Sequence, residues 1–209
     1  MPKKEKEEVE EAKEEEEAIK EELSSLAGLL PQLDRPEMRS MALFGEIDEE
    51  RSSEVCVSLL VLGQRIKEDE EMKPIEFYLS TYGGNADDMF AIYDVMNMTK
   101  KNCEIHTYGV GKVMSAGVLL LANGSPGKRK VGRHCRIMIH SCNAGSVGDI
   151  HDLKNEMKAI QDQQDSYINA LVEVSSMTKR QLNRLLDRKV NVYLSAQEAI
   201  EYGIAYEII

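Results

Sequence analysis

From about residue 37 onward, short apolar runs and longer amphipathic stretches follow one another along the chain. The pattern predicts strands near 40–45, 75–80, 104–110 and 135–140, each followed by a helix, near 50–67, 86–99, 115–123 and 148–175. A shorter helix at 178–187, a last helix at 195–202 and a strand at 204–208 complete the series. Repeating strand–helix order buries the strands in a mostly parallel sheet, so the expected class is α/β. The helix at 148–175 stands apart. Ile150, Leu153, Met157, Tyr167, Leu171 and Val174 draw an apolar stripe on an otherwise charged rod, the pattern of a projecting helix that packs on another subunit.

Before residue 37 the character changes. Residues 3–30 are rich in Glu, Lys, Ala and Leu with no Gly until Gly28, which favours a helix or a solvated acidic tail. Pro31 and Pro36 punctuate the join. Two regions are expected: an acidic extension over 1–36, helical or disordered, and a globular domain over 37–209. Eleven Glu against five Lys in residues 1–22 place about half of the net charge of −11 in that extension.

This balance narrows the function classes. An acidic chain with 5% aromatic residues lacks the basic footprint of a nucleic-acid binder, Lys128-Arg-Lys130 being one short basic cluster. No run of about 18 apolar residues occurs and no apolar segment opens the chain, so a cytoplasmic protein without a membrane partner is expected. Cys56, Cys103, Cys135 and Cys142 lack metal-finger spacing and are expected as reduced core residues, with Cys142 the exposed one. The chain has no G-x-x-x-x-G-K-[ST] loop, so no cofactor is expected in it and any use of ATP belongs to a partner.

Three segments can carry chemistry. Tyr78-Leu-Ser-Thr-Tyr-Gly-Gly-Asn85 ends a strand in a glycine pair, whose backbone N–H groups can approach a ligand, although an ordinary turn reads the same way. Gly109-Val-Gly-Lys-Val-Met-Ser-Ala-Gly117 sets Ser115 where a tight turn enters a buried helix. There the hydroxyl can attack a carbonyl while the amides of Gly84 and Ala116 hold the oxyanion, the alternative being a plain helix N-cap. His140 closes the apolar strand Arg136-Ile-Met-Ile-His140, where an imidazole can accept the serine proton or simply sit at a strand end. His106, His134 and His151 are read as surface or packed residues.

Taken in order, the Gly-Gly turn, the G-x-x-x-S-x-G segment, Met-Ile-His140 and Tyr193-Leu-Ser-Ala-Gln-Glu-Ala-Ile-Glu-Tyr-Gly203 resemble the proteolytic subunits of Clp protease (ClpP) over roughly residues 39–209. The resemblance implies a stacked βα-repeat fold shared with crotonases, with a projecting handle helix at 148–175. It implies Ser115 as nucleophile, His140 as general base, and Gly84 and Ala116 as oxyanion donors. It further implies a homo-oligomer of heptameric rings, a tetradecamer, fed by an ATP-dependent unfoldase. The family's acid lies two residues before the aromatic of the last motif, and here that position is Asn191. An amide orients an imidazole without the charge a carboxylate supplies, and Asp187, four residues upstream, is the substitute acid.

The leading expectation is therefore a serine endopeptidase acting on unfolded proteins and peptides through an acyl-enzyme on Ser115. The peptide is expected to lie along the strand-like segment Gly127 to Val131. Two other classes stay open: a catalytically weak structural subunit of a ring, motivated by Asn191, and a crotonase-like acyl-CoA enzyme, which uses a similar pair of backbone donors.

Overall fold

Strand β1 (Ser40–Ile47) runs into helix α1 (Glu49–Leu62), and the same succession repeats as β2 (Ile75–Gly84) with α2 (Ala86–Thr99) and β3 (Ile105–Met114) with α3 (Ala116–Ala122). Strands β4 (Arg129–Val131) and β5 (Arg136–Ile139) follow, then the 25-residue α4 (Ile150–Val174), α5 (Lys179–Leu186), β6 (Val192–Leu194), α6 (Ala196–Glu201) and β7 (Glu207–Ile208). This computed structural model describes residues 38–64, 72–188 and 190–209. Arg39–Ile209 forms one compact unit. The expectations for residues 1–36 lie outside the described residues.

The α/β class is borne out. Strands β1, β2, β3, β4 and β7 lie side by side, all parallel, and β5 joins β3 in parallel and β6 in antiparallel. Along β2 every second side chain, from Ile75 through Phe77 and Leu79 to Thr81, is fully buried, while Glu76, Tyr78 and Ser80 are half exposed. Period-two burial means that one face carries the core. Helix α3 lies on β2 and β3 with all seven of its residues buried.

One irregularity in β3 positions everything that follows. Leu79 of β2 faces Gly109 and Thr81 faces Val113, so β3 holds extra residues around Gly111, whose φ of 66° a side chain would strain. On either side of this bulge β3 changes partner. Thr107–Gly109 pair with β4, and Lys112–Met114 pair with β5. The pair of glycines that reads as a turn after residue 110 is thus a bulge inside a strand that continues to Met114.

Other boundaries shift for local reasons. Helix α1 stops at Leu62 rather than 67, capped by Gly63, whose N–H bonds to Leu59 O and Val61 O. Strand β6, three residues long, is absent from the expected series because so short a run has no readable period, whereas β4 falls within the segment Gly127 to Val131 that reads as strand-like. The segment Gly127 to Val131 cannot take an added peptide strand, since β4 already has β3 on one side and β7 on the other. The closing strand is confined to Glu207–Ile208. Cys142, expected to be exposed, is half buried, and all four cysteines are free.

Helix α4 divides in two. Residues 151–159 are exposed on every side, with Ile150, Leu153 and Met157 among them or beside them in solvent, whereas Tyr167, Ile168, Ala170 and Leu171 are buried in the core. At 1.5 Å per residue the helix extends about 37 Å, far more than its buried half needs. No described helix is long and apolar enough to cross a membrane.

Candidate active site

Strand β3 delivers Ser115 to the start of α3 in a conformation that resists any simpler explanation. Its φ of 53° and ψ of −124° make it the only non-glycine residue at positive φ among the described residues. Such backbone costs about 1–3 kcal/mol and persists only where its surroundings over-determine it. Here they do. Ser115 N–H donates to Met138 O at 2.7 Å, and Ser115 O accepts from Val118 N–H at 3.0 Å and from the Tyr167 hydroxyl at 3.2 Å.

The side chain does not cap α3. Ser115 Oγ lies instead 2.8 Å from His140 Nε2. The β3–β5 register explains the meeting. Met114 faces Met138, so the strand carrying His140 runs directly beside the one carrying Ser115 and reaches His140 two residues later. Residues 25 apart in sequence are brought into hydrogen-bond contact by two neighbouring parallel strands.

The glycine pair closes the other side. Gly83 has φ 98°, and a Cβ there would stand 2.6 Å from Ser115 Cβ; Gly84 has φ 153°, and a Cβ there would stand 2.1 Å from Ile47 O. Only glycine lets the chain pass so near the serine. Gly83 N–H donates to Thr81 Oγ1 at 2.9 Å, while Gly84 and Ala116 both line the cavity in front of Ser115.

That cavity measures about 520 Å³. Asn85, Asp87 and Met89 form one wall, Cys142 and Asn143 another, Gln163 and Tyr167 of α4 a third, and Glu46 and Tyr82 the rim. Neither Lys nor Arg lines it. Two more hydrogen bonds tie α4 to these walls: Gln163 Nε2 donates to Asp87 Oδ1 at 2.8 Å, and Cys142 N–H donates to Gln164 Oε1 at 3.1 Å. Burial raises the Cys142 thiol above its ordinary range, which keeps it protonated and a poor nucleophile beside Ser115. A larger hollow of about 650 Å³ between β1 and α1 brings no serine to a histidine.

Asn191 and His140 adjoin the end of the β5–β6 ladder: Ile137 faces Leu194, Met138 faces Tyr193 and Ile139 faces Val192, and one further step of the same register would pair His140 with Asn191. Its side chain is exposed, and among the described residues no hydrogen bond joins it to the imidazole. Asp187 is elsewhere. It caps the C-terminus of α5 and lines a separate hollow with Arg180, Arg184 and Arg188, and among the described residues no hydrogen bond or ion pair joins it to His140. Sequence reasoning missed Tyr167 as part of the site. The available signal was a hydroxyl on the apolar stripe of a helix, because a buried tyrosine needs a hydrogen-bond partner.

Set together, a strained serine, a histidine on its hydroxyl and a cavity lined by Gly84 and Ala116, whose backbone N–H groups are candidate oxyanion donors, can perform acyl transfer. Comparison with known proteins agrees in outline. The family model described as Clp protease matches residues 33–209. An ATP-dependent Clp protease proteolytic subunit 2 of Corynebacterium efficiens is 30% identical over 171 residues, covering 82% of this chain and 82% of that protein. An ATP-dependent Clp protease proteolytic subunit 1 of Corynebacterium jeikeium is 32% identical over 176 residues, covering 82% of this chain and 87% of that protein.

Proposed function

This chain belongs to the Clp protease family, and on that premise we propose that it is a serine endopeptidase that cleaves peptides and unfolded proteins through an acyl-enzyme on Ser115. The observation that carries the proposal is the 2.8 Å contact between Ser115 Oγ and His140 Nε2. His140 takes the hydroxyl proton as Oγ attacks the scissile carbonyl, and the carbonyl oxygen, now an oxyanion, accepts from the N–H groups of Gly84 and Ala116. The protonated imidazole then gives its proton to the departing amine. Water enters, loses a proton to the same nitrogen and releases the acyl group, restoring the serine.

Substrate enters the cavity in extended form between the glycine turn and the segment Ser141–Asn143, with Asn191 turning the imidazole from its other side when its amide oxygen reaches Nδ1–H. The exposed half of α4, with Ile150, Leu153 and Met157, supports a homo-oligomer in which two heptameric rings stack handle to handle and enclose the sites. An ATP-dependent unfoldase then feeds long substrates, the nucleotide being bound by that partner. The test is hydrolysis of fluorogenic peptides and of a permanently unfolded protein by the purified assembly. Turnover that vanishes in Ser115→Ala supports the reading. Turnover that survives in that variant overturns it.

A second reading has its own observation. Since no hydrogen bond reaches the imidazole from Asn191, the chain can be a weak ring subunit that works beside a more active one. Robust turnover by assemblies of this chain alone excludes that reading.

A further inference from the structure

The carbonyl of Ser115 is held by two donors, Val118 N–H at 3.0 Å and the Tyr167 hydroxyl at 3.2 Å. A peptide unit is planar, and in the trans form its C=O and the following N–H point in opposite directions. No cis peptide occurs among the described residues. Fixing the carbonyl of Ser115 therefore fixes the direction of Ala116 N–H, which belongs to the same peptide plane, and Ala116 lines the cavity. Accepting a hydrogen bond at the oxygen also polarises the amide and strengthens its N–H as a donor.

We propose that Tyr167 is a positioning residue that aims and polarises the Ala116 N–H at the oxyanion, an inference that rests on the serine peptidase reading of the site. Three features support it. Val118 N–H is an ordinary helical donor, so the tyrosine hydroxyl is the additional, side-chain contribution at this carbonyl. The Tyr167 side chain is only 8% exposed, and its burial raises the phenol above its ordinary range, so the hydroxyl stays a neutral donor throughout the working pH range. The peptide it holds is the one following the single non-glycine residue at positive φ among the described residues, where an unsupported plane would rotate towards a commoner conformation.

The helix that carries Tyr167 also holds Asp87 through Gln163 and Cys142 through Gln164, so the donor is mounted on an element already fastened to two cavity walls.

Tyr167→Phe tests the proposal, because it keeps the ring and removes the hydroxyl alone. The purified assembly is first reacted with a small uncharged fluorophosphonate. Failure of the wild type to label at Ser115 refutes the peptidase reading, and the inference falls with it. With the wild type labelled, Tyr167→Phe is expected to lower kcat about tenfold with KM unchanged, less than the 10²–10³ lost when an oxyanion donor is removed outright. The affinity for a peptide boronate, which forms a tetrahedral adduct at the serine, is expected to weaken by a similar factor. An unchanged kcat overturns the proposal. So does a fall in activity seen only as a higher KM, or a boronate affinity that stays at the wild-type value, since a merely structural tyrosine would give those results.

Discussion

Replacing Asn191 by Asp probes the proposed orienting partner of His140. Extended one step beyond the Ile139–Val192 pair, the β5–β6 register brings residue 191 opposite His140. Facing residues of an antiparallel pair have Cα atoms about 4.5–5.5 Å apart, so a carboxylate there can approach within about 4 Å of the ring. A unit charge at that distance from an imidazolium is worth about 4 kcal/mol at an effective dielectric of 20 and about 1 kcal/mol in bulk water. Residue 191 is exposed, which pulls the value below the upper figure. Stabilising the imidazolium of the transition state by about 1–3 kcal/mol predicts that Asn191→Asp raises kcat/KM by roughly 5- to 150-fold. The assay is hydrolysis of a fluorogenic peptide by both proteins. An unchanged rate would refute the argument and show that side chain 191 does not reach the ring.

Three further outcomes follow from the geometry. Gly83→Ala forces a Cβ to 2.6 Å from Ser115 Cβ at a φ of 98°, a backbone that costs roughly 1–2 kcal/mol before any displacement; the thermal midpoint should fall by about 3–8 °C and peptide turnover by far more, and a fully active variant would contradict the packing described. Lys100 donates to Asn123 O at 2.9 Å and Oδ1 at 2.8 Å, and burial, with nearby Arg129, lowers its pKa to about 8. The unfolded chain, with a lysine near ~10.4, therefore binds more protons between these values, so the wild type should gain stability relative to Lys100→Met as pH rises from 8 to 10; a constant gap in thermal midpoint would refute this. Glu46 and Asp87 are among the residues lining the cavity, and no Lys or Arg lines it, so a peptide with Lys next to the scissile bond should be cleaved about tenfold faster than its Glu counterpart. Asp87→Asn should narrow that ratio, and equal rates in the wild type would dismiss the electrostatic argument.

What could be read from the sequence depended on the range of the interaction involved. Ser115 and His140 announce themselves because one stands at the entry to a buried helix and the other ends an apolar strand, and the structure brings them together through adjacent strands. The class of fold follows from the repeated strand–helix order. The course of β3 does not, since a glycine in a bulge and a glycine in a turn look alike until the partner strands are known; Gly111 is the former. Asp187 and Asn191 are four residues apart, and only the structure shows that Asn191 adjoins the end of β6 at which Val192 pairs with Ile139, whereas Asp187 caps α5. Tyr167 lies 52 residues from Ser115, beyond any local pattern, and its hydroxyl reads as an imperfection in an apolar stripe rather than as a contact.

The central claim is that Ser115 is an activated nucleophile, and intact-mass measurement after brief exposure of the purified assembly to a fluorophosphonate tests it most directly. The structure predicts one adduct per chain in the wild type and none in Ser115→Ala. Absence of the adduct in the wild type, or its persistence in Ser115→Ala, would contradict the account.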